Sequence, residues 1–262
     1  MLAARKASHW PKAYFPMFET AAPHIFALPP GADFPAELVA GLRERMAGKP
    51  PEAMGRVMLY LNTSRMRRRV EEAFRASAPG FLPKLLLVSD LARDPRLFLP
   101  AATSPLRRRL ELTTLIAALL DRQPDVAPRA ALYDLADSLA TLMDEMQGEG
   151  VSPEVVAGLD VSNHSQHWAR TQAFLKILTP LFAGSGDKEA LQRLAVTRLS
   201  AIWQAAPPQD PVLIAGSTGS RGTTALFMQV VARLPQGALV LPGYDFDTPL
   251  SVWNAMDDSL TA

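Results

Sequence analysis

Apolar positions along this chain repeat in two ways, as short unbroken runs and as stripes at helical spacing, and their order predicts the elements. Residues 24–28 read HIFAL, a run that stops at Pro29, Pro30 and Gly31. Phe34, Leu38, Val39 and Leu42 then recur at helical spacing, with Asp33 placed to cap the helix. Residues 56–61 (RVMLYL) form a second run. Asn62, Thr63 and Ser64 follow as candidate caps for a helix over 65–76 whose inward face is Met66, Val70 and Phe74. Residues 85–88 (LLLV) are a third run, closed by Ser89 and Asp90. Runs alternating with helical stripes predict βαβ units and a mainly parallel sheet.

Over residues 104–206 the runs stop. Ser104 and Pro105 make a cap and first turn for LRRRLELTTLIAALLDRQ. Pro128 opens a second long helix, striped by Leu132, Leu135, Leu139, Leu142, Met143 and Met146 and ending at Gly148. Two further helices carry Trp168, Phe174, Leu175 and Leu178, then Leu191, Leu194, Leu199 and Trp203. Residues 212–215 (VLIA) resume the strand pattern, a helix follows through Leu226 and Val230, and residues 238–241 (ALVL) make another strand.

The expected fold is therefore α/β, a parallel sheet with helices on both faces, interrupted by an all-helical insertion. The expected divisions are an extension over 1–22, the first part of the α/β domain over 23–103, the insertion over 104–207 and a return over 208–262. The last stretch, SVWNAMDDSLTA, ends within a helical pattern, which predicts an incomplete C-terminus that leaves a sheet edge open.

Composition then narrows the chemistry. With 48% hydrophobic and 20% charged residues, the 262-residue chain has ample material for a core. No run approaches the ~18 apolar residues of a membrane span. The chain has no cysteine, which rules out disulfides, thiolate zinc sites, iron–sulfur clusters and a cysteine nucleophile within it and fits a cytoplasmic setting. The net charge is only +1, so no global field points to nucleic acid. The arginines are clustered instead, at Arg65, Arg67, Arg68 and Arg69 and again at Arg107, Arg108 and Arg109. On charge alone each cluster reads as a solvated face. The first residues carry Arg5 and Lys6 but lack the apolar core of a secretory signal, and read as a loose tail with Met17 as a natural start.

Two stretches invite a nucleotide. Gly216, Gly219 and Gly222 lie between a strand and a helix, as in one dinucleotide-binding fingerprint, and Asp245 follows the next strand where a ribose-binding carboxylate would stand. That alternative makes the chain a nucleotide- or NAD(P)-binding enzyme. Against it, the motif comes after some 210 residues rather than opening the fold, and Asp245 lies beyond the expected offset of about 20 residues. The first strand–loop–helix sits where a phosphate loop belongs, yet has neither the second glycine nor the lysine followed by Ser or Thr. Pro29 and Pro30 also remove two amide donors.

The stretches FALPPGADFPAELVAGLRER (26–45), LYLNTSRMRRRVEEAF (59–74), SPLRRRLELTTLIAALL (104–120), LYDLADSLATLMDEMQGEGV (132–151), HSQHWARTQAFL (164–175) and PVLIAGSTGSRGTTALFMQVVARLPQGALVLPGYDFD (211–247) resemble the N-terminal part of the AddB family, alphaproteobacterial type. Members of that family are subunits of the AddAB helicase–nuclease, which processes DNA double-strand breaks for homologous recombination. The resemblance covers nearly everything from His24 onward. It implies a superfamily 1 helicase scaffold, RecA-like, with a helical subdomain inserted in the first domain. It also implies that the family's nuclease, with its iron–sulfur cluster and magnesium, lies beyond residue 262, leaving no cofactor in this region.

On that scaffold the strand after the insertion ends in an acidic pair that binds magnesium and positions the attacking water. Here Ala215 and Gly216 stand there, while Pro29, Pro30 and Gly31 replace the phosphate loop. The resemblance thus implies a helicase-like module without ATPase chemistry, with no catalytic residues, whose partners are DNA and the AddA-type motor subunit. LNTSRMRRR falls where such helicases grip single-stranded DNA. Asn62, Thr63, Ser64, Arg65 and Arg68 are therefore the expected DNA contacts, through side-chain hydrogen bonds, open helix amides and charge. Ser217, Thr218 and Ser220 are further candidates for DNA or partner contact.

Other groups read as structural. His164 and His167 are spaced as metal ligands on one helix face but have no third partner in the sequence, so no metal is expected. Asp134, Asp137, Asp144 and Glu145 fall opposite the Leu/Met stripe, on a solvated face. Arg107, Arg108 and Arg109 sit in a first helical turn, where the macrodipole disfavours cations, and read as surface residues.

Overall fold

The computed structural model describes residues 5–6, 23–158, 165–182, 186–249, 251–253 and 255. The apolar runs become strands β1 (Arg5–Lys6), β2 (His24–Ala27), β3 (Met58–Leu61), β4 (Lys84–Leu87), β5 (Val212–Ala215) and β6 (Gly237–Leu241). They form one sheet, parallel throughout, in the order β1-β2-β6-β5-β3-β4. Runs without polar alternation are what strands covered on both faces require, and all four residues of β5 are buried.

α1 (Phe34–Met46) and α3 (Ser64–Ala76) cover one face. Leu38, Val39, Leu42, Val70 and Phe74 from these helices share one core with Leu59, Leu61, Leu213, Ala215, Ala238 and Val240 from the strands. The inward faces expected for both helices are the observed ones. On the other face Tyr60 meets Phe227 edge-on, centroids 5.0 Å apart, and Phe227 stacks on Trp203 at 6.1 Å. Phe227 lies in α9 (Gly222–Ala232) and Trp203 near the end of α8 (Lys188–Ala205). Each fully buried large side chain contributes about 1.5–3 kcal/mol, so these two layers outweigh any surface pairing described below.

Boundaries differ from expectation in small ways with local causes. α3 starts at Ser64 because Thr63 supplies the cap. A short helix, α2 (Ala53–Arg56), takes up Arg56 and delays β3 to Met58. Val88 leaves β4 to start a 3₁₀ turn. The last strand, β6, lies between β2 and β5, and the sheet edges are β1 and β4.

Two compact units result. The sheet unit holds the chain up to Ser89 together with Ser200–Ser220 and the residues from Thr224 on; the helical unit holds Asp90–Leu199 and Arg221–Thr223. Within the helical unit, α4 (Pro105–Arg122), α5 (Leu132–Glu149), α6 (Pro153–Ala157) and α7 (Ser165–Phe182) bury Leu112, Ile116 and Leu120 against Ala136, Leu139, Met143 and Met146, with Leu175 and Leu178. The three-and-four spacing of these residues is the stripe read from the sequence. A 3₁₀ turn, Arg129–Ala131, intervenes after Pro128, and α5 runs to Glu149. No helix among the described residues is long and apolar enough to cross a membrane.

Candidate functional site

Every strand of a parallel sheet ends on the same side, and ligands of such sheets bind at the carboxyl ends. The loops after β2, β3, β5 and β6 meet there. The register Leu61↔Ala215 places Asn62 beside Gly216, and Ala215↔Val240 with Ala27↔Leu241 brings the β2 and β6 ends alongside.

The β2–α1 turn is built against a phosphate. Pro29 and Pro30 carry no amide, and the Ala32 amide turns back to the Pro29 carbonyl at 3.4 Å. Asp33 caps α1, its Oδ1 accepting from the Ala36 amide at 3.5 Å, and Pro35 removes another donor from the first turn. Arg69 Nη2 lies 3.7 Å from the same Asp33 oxygen. A carboxylate therefore stands at the helix terminus where a triphosphate would need positive charge.

At the end of β5, Ala215 is fully buried and Gly216 adopts φ +76°, its amide bonded to the Val240 carbonyl at 3.1 Å. A β-carbon on Gly216 would lie 3.4 Å from Asn62 Oδ1 and 3.5 Å from both Met66 and Phe34. The left-handed backbone favours glycine here, while the three neighbours stand at ordinary van der Waals distance.

The end of β3 is different. Asn62, Ser64, Arg65, Arg67 and Arg68 are all exposed. Among the described residues, no ion pair joins Arg65, Arg67 or Arg68 to an acid; of this cluster only Arg69 is paired, with Asp33. The Ser64 and Arg65 amides, at the start of α3, have no acceptor among the described residues. Thr63 is a partial correction to the sequence reading. Its Oγ1 accepts from the Met66 amide at 3.1 Å, so it works as a cap rather than as a free acceptor. Arg65, in the first turn of α3, faces the positive end of the macrodipole, a cost of about 0.3–1 kcal/mol that an anion would reverse.

In the glycine loop, Thr218 and Ser220 are exposed, whereas Ser217 is half-buried with its Oγ accepting from the Gly219 amide at 3.3 Å. The Gly222 amide is bonded to the Glu149 carboxylate at 2.8 Å, so the donor a pyrophosphate would seek is taken. Asp245 closes its own turn, accepting from the Thr248 hydroxyl and the Asp247 amide, and the Thr248 bond first holds its carboxyl below the usual range.

The second arginine cluster corrects the sequence reading. Arg108 is not a surface residue. It is 11% exposed, with Nε 2.9 Å from Asp187 Oδ1 and Nη1 2.8 Å from Glu111. The buried Gln147 donates to Asp187 Oδ2 at 3.2 Å. Arg107 pairs with Glu111 and Arg109 with Asp137. The sequence did not show this pairing, because Asp187 lies 79 positions away. Asp134, Asp137 and Glu145 are exposed, as expected, whereas Asp144 is exposed but partly desolvated beside Glu189 and Asp187. His164 and the side chain of His167 lie outside the described residues.

No family model and no curated protein matches the chain.

Proposed function

We propose that this chain is the helicase-like module of an AddB-type subunit, RecA-like in fold, which binds DNA and its motor subunit and does not hydrolyse ATP. One observation carries the reading. Along the carboxyl ends of the strands, Pro29, Pro30 and Asp33 after β2 and Ala215 and Gly216 at the end of β5 stand at the two positions that ATP chemistry needs, while Asn62, Ser64, Arg65 and Arg68 beside them are exposed. Free arginines, open amides and a carboxamide are the groups that hold a phosphodiester backbone. The strand order supports the scaffold assignment, since the chain leaves after β4, passes through a helical unit and returns to fill the centre of the same sheet.

The motor subunit and double-strand break processing come to the proposal from the family resemblance. The test is direct. The chain is titrated with fluorescent single-stranded DNA at about 50 and 200 mM salt and, separately, with magnesium and ATP. Binding to DNA that weakens steeply with salt, without ATP binding, is the expected result. Tight magnesium-dependent ATP binding overturns the proposal.

A further inference from the structure

Gly222, the third glycine of the loop, is the first residue of α9 and is preceded by Arg221, which has no acceptor with which to cap a helix. The missing cap comes from 73 positions upstream, where Glu149 Oε1 accepts from the Gly222 amide at 2.8 Å. The same turn holds α9 a second time. Thr223 Oγ1 donates to the Gly148 carbonyl at 2.8 Å, and that carbonyl also accepts from Arg193 at 3.1 Å. All five residues belong to the helical unit.

The fit is steric as well as electrostatic. A β-carbon on Gly222 would collide with the Glu149 carboxylate and lie 3.0 Å from its Cα. Glycine at 222 is thus what lets the carboxylate reach the amide, and a carboxylate is the favoured charge at that end of a helix. At its other end the loop is fixed by the Gly216 amide on the Val240 carbonyl. Between these anchors the loop makes one hydrogen bond of its own among the described residues, from the Gly219 amide to Ser217 Oγ.

We infer that Glu149 is the positioning residue of the 216–222 loop, a distant cap that sets where α9 starts and so how Ser217, Thr218 and Ser220 are presented; the second part rests on the DNA reading above. Glu149→Ala removes the cap, and Glu149→Gln keeps an acceptor oxygen while removing the charge. In the whole chain, amide exchange over 217–223 rises about fivefold in Glu149→Ala, the size of a lost cap, with β5 and β6 unchanged. In Glu149→Gln it stays near the parent value. Affinity for single-stranded DNA falls in Glu149→Ala at an unchanged salt slope and is restored in Glu149→Gln.

Parent-like exchange in Glu149→Ala, or exchange in Glu149→Gln as fast as in Glu149→Ala, overturns the cap. Faster exchange with unchanged DNA affinity overturns the loop's part in binding. If the parent chain binds no DNA, the functional reading fails, and the exchange measurements still decide the role of Glu149.

Discussion

Gly216 follows β5 directly beside Asn62, which follows β3, and a β-carbon on Gly216 would stand 3.4 Å from Asn62 Oδ1. A β-carbon fits there at ordinary van der Waals distance, so an acidic residue is disfavoured by the left-handed backbone, φ +76°, rather than by its neighbours. Gly216→Asp is expected to lower stability by less than the ~1–2 kcal/mol that a left-handed backbone costs most residues, because Asp is among those that tolerate it, and to gain no magnesium–ATP binding. Chemical denaturation and calorimetric titration check the two parts. Tight ATP binding by this variant would show that the missing acid was the sole defect.

Arg65→Ala and Arg68→Ala are each expected to weaken binding to single-stranded DNA several-fold. The logarithmic salt slope should fall by about 0.7 for each phosphate that is no longer neutralised. Asn62→Ala should weaken binding without changing the slope, because a carboxamide releases no counterion. Fluorescence anisotropy over a salt series separates these outcomes. Arginine variants with unchanged slopes would place the DNA elsewhere.

How far the sequence reached is clear from particular residues. The runs HIFAL, RVMLYL and VLIA had no competing pattern, and strands covered on both faces leave that signature. The stripe of Met66, Val70 and Phe74 likewise fixed which face of α3 the arginines occupy. Strand order was beyond reach, since nothing local tells β6 to enter between β2 and β5. Partners far apart in sequence were invisible for the same reason. Arg108 finds Asp187, and Gly222 finds Glu149, only once the helices are assembled. One local clue existed at α9, where Arg221 stands in a position that usually needs an acceptor.

The Arg108–Asp187 pair should matter far more than its exposed neighbours. Removing one partner of a pair this buried strands the other charge, a loss of about 3–5 kcal/mol, whereas Arg107→Ala should cost at most about 1 kcal/mol. Arg108→Ala is therefore expected to lower the melting temperature markedly and Arg107→Ala barely. Combining Arg108→Met with Asp187→Leu should recover part of the loss, because no charge is then left unpaired. Equal melting temperatures for Arg108→Ala and Arg107→Ala would refute the buried role.

Phe98 has a left-handed backbone, φ 48°, with its ring 86% exposed, while Arg198 holds both the Leu97 and Phe98 carbonyls at 2.6 and 2.7 Å. Its ring contributes little burial, and its backbone costs about 1–2 kcal/mol. Phe98→Gly relieves that strain and loses some of the gain to unfolded-state entropy. Stability equal to or slightly above the parent is expected by denaturant titration. A clear loss would mean that the exposed ring has a packing role.

Asp94 and Asp144 give opposite dependences on pH. Asp94 is held below the ordinary carboxylate range, first by the hydrogen bond from the Arg96 side chain. It binds its proton less readily folded than unfolded, so its contribution is present above the unfolded value of about 3.9 and is lost as pH falls through its lower folded value. Asp144 is held above the range, first by desolvation and then by the carboxylates of Glu189 and Asp187, which Lys188 and Arg108 only partly offset. Protonation therefore favours its folded state. That contribution is present below the unfolded value and is lost as pH rises through the raised folded one. Asp94→Asn should lower the melting temperature near neutral pH, and Asp144→Asn should raise it. Both differences should shrink toward zero once the solution is acidic enough to protonate the carboxyls in the folded and unfolded chains alike. A melting-temperature gain from Asp144→Asn that persists undiminished in acid would show that relief of the carboxylate's desolvation and repulsion is not its cause.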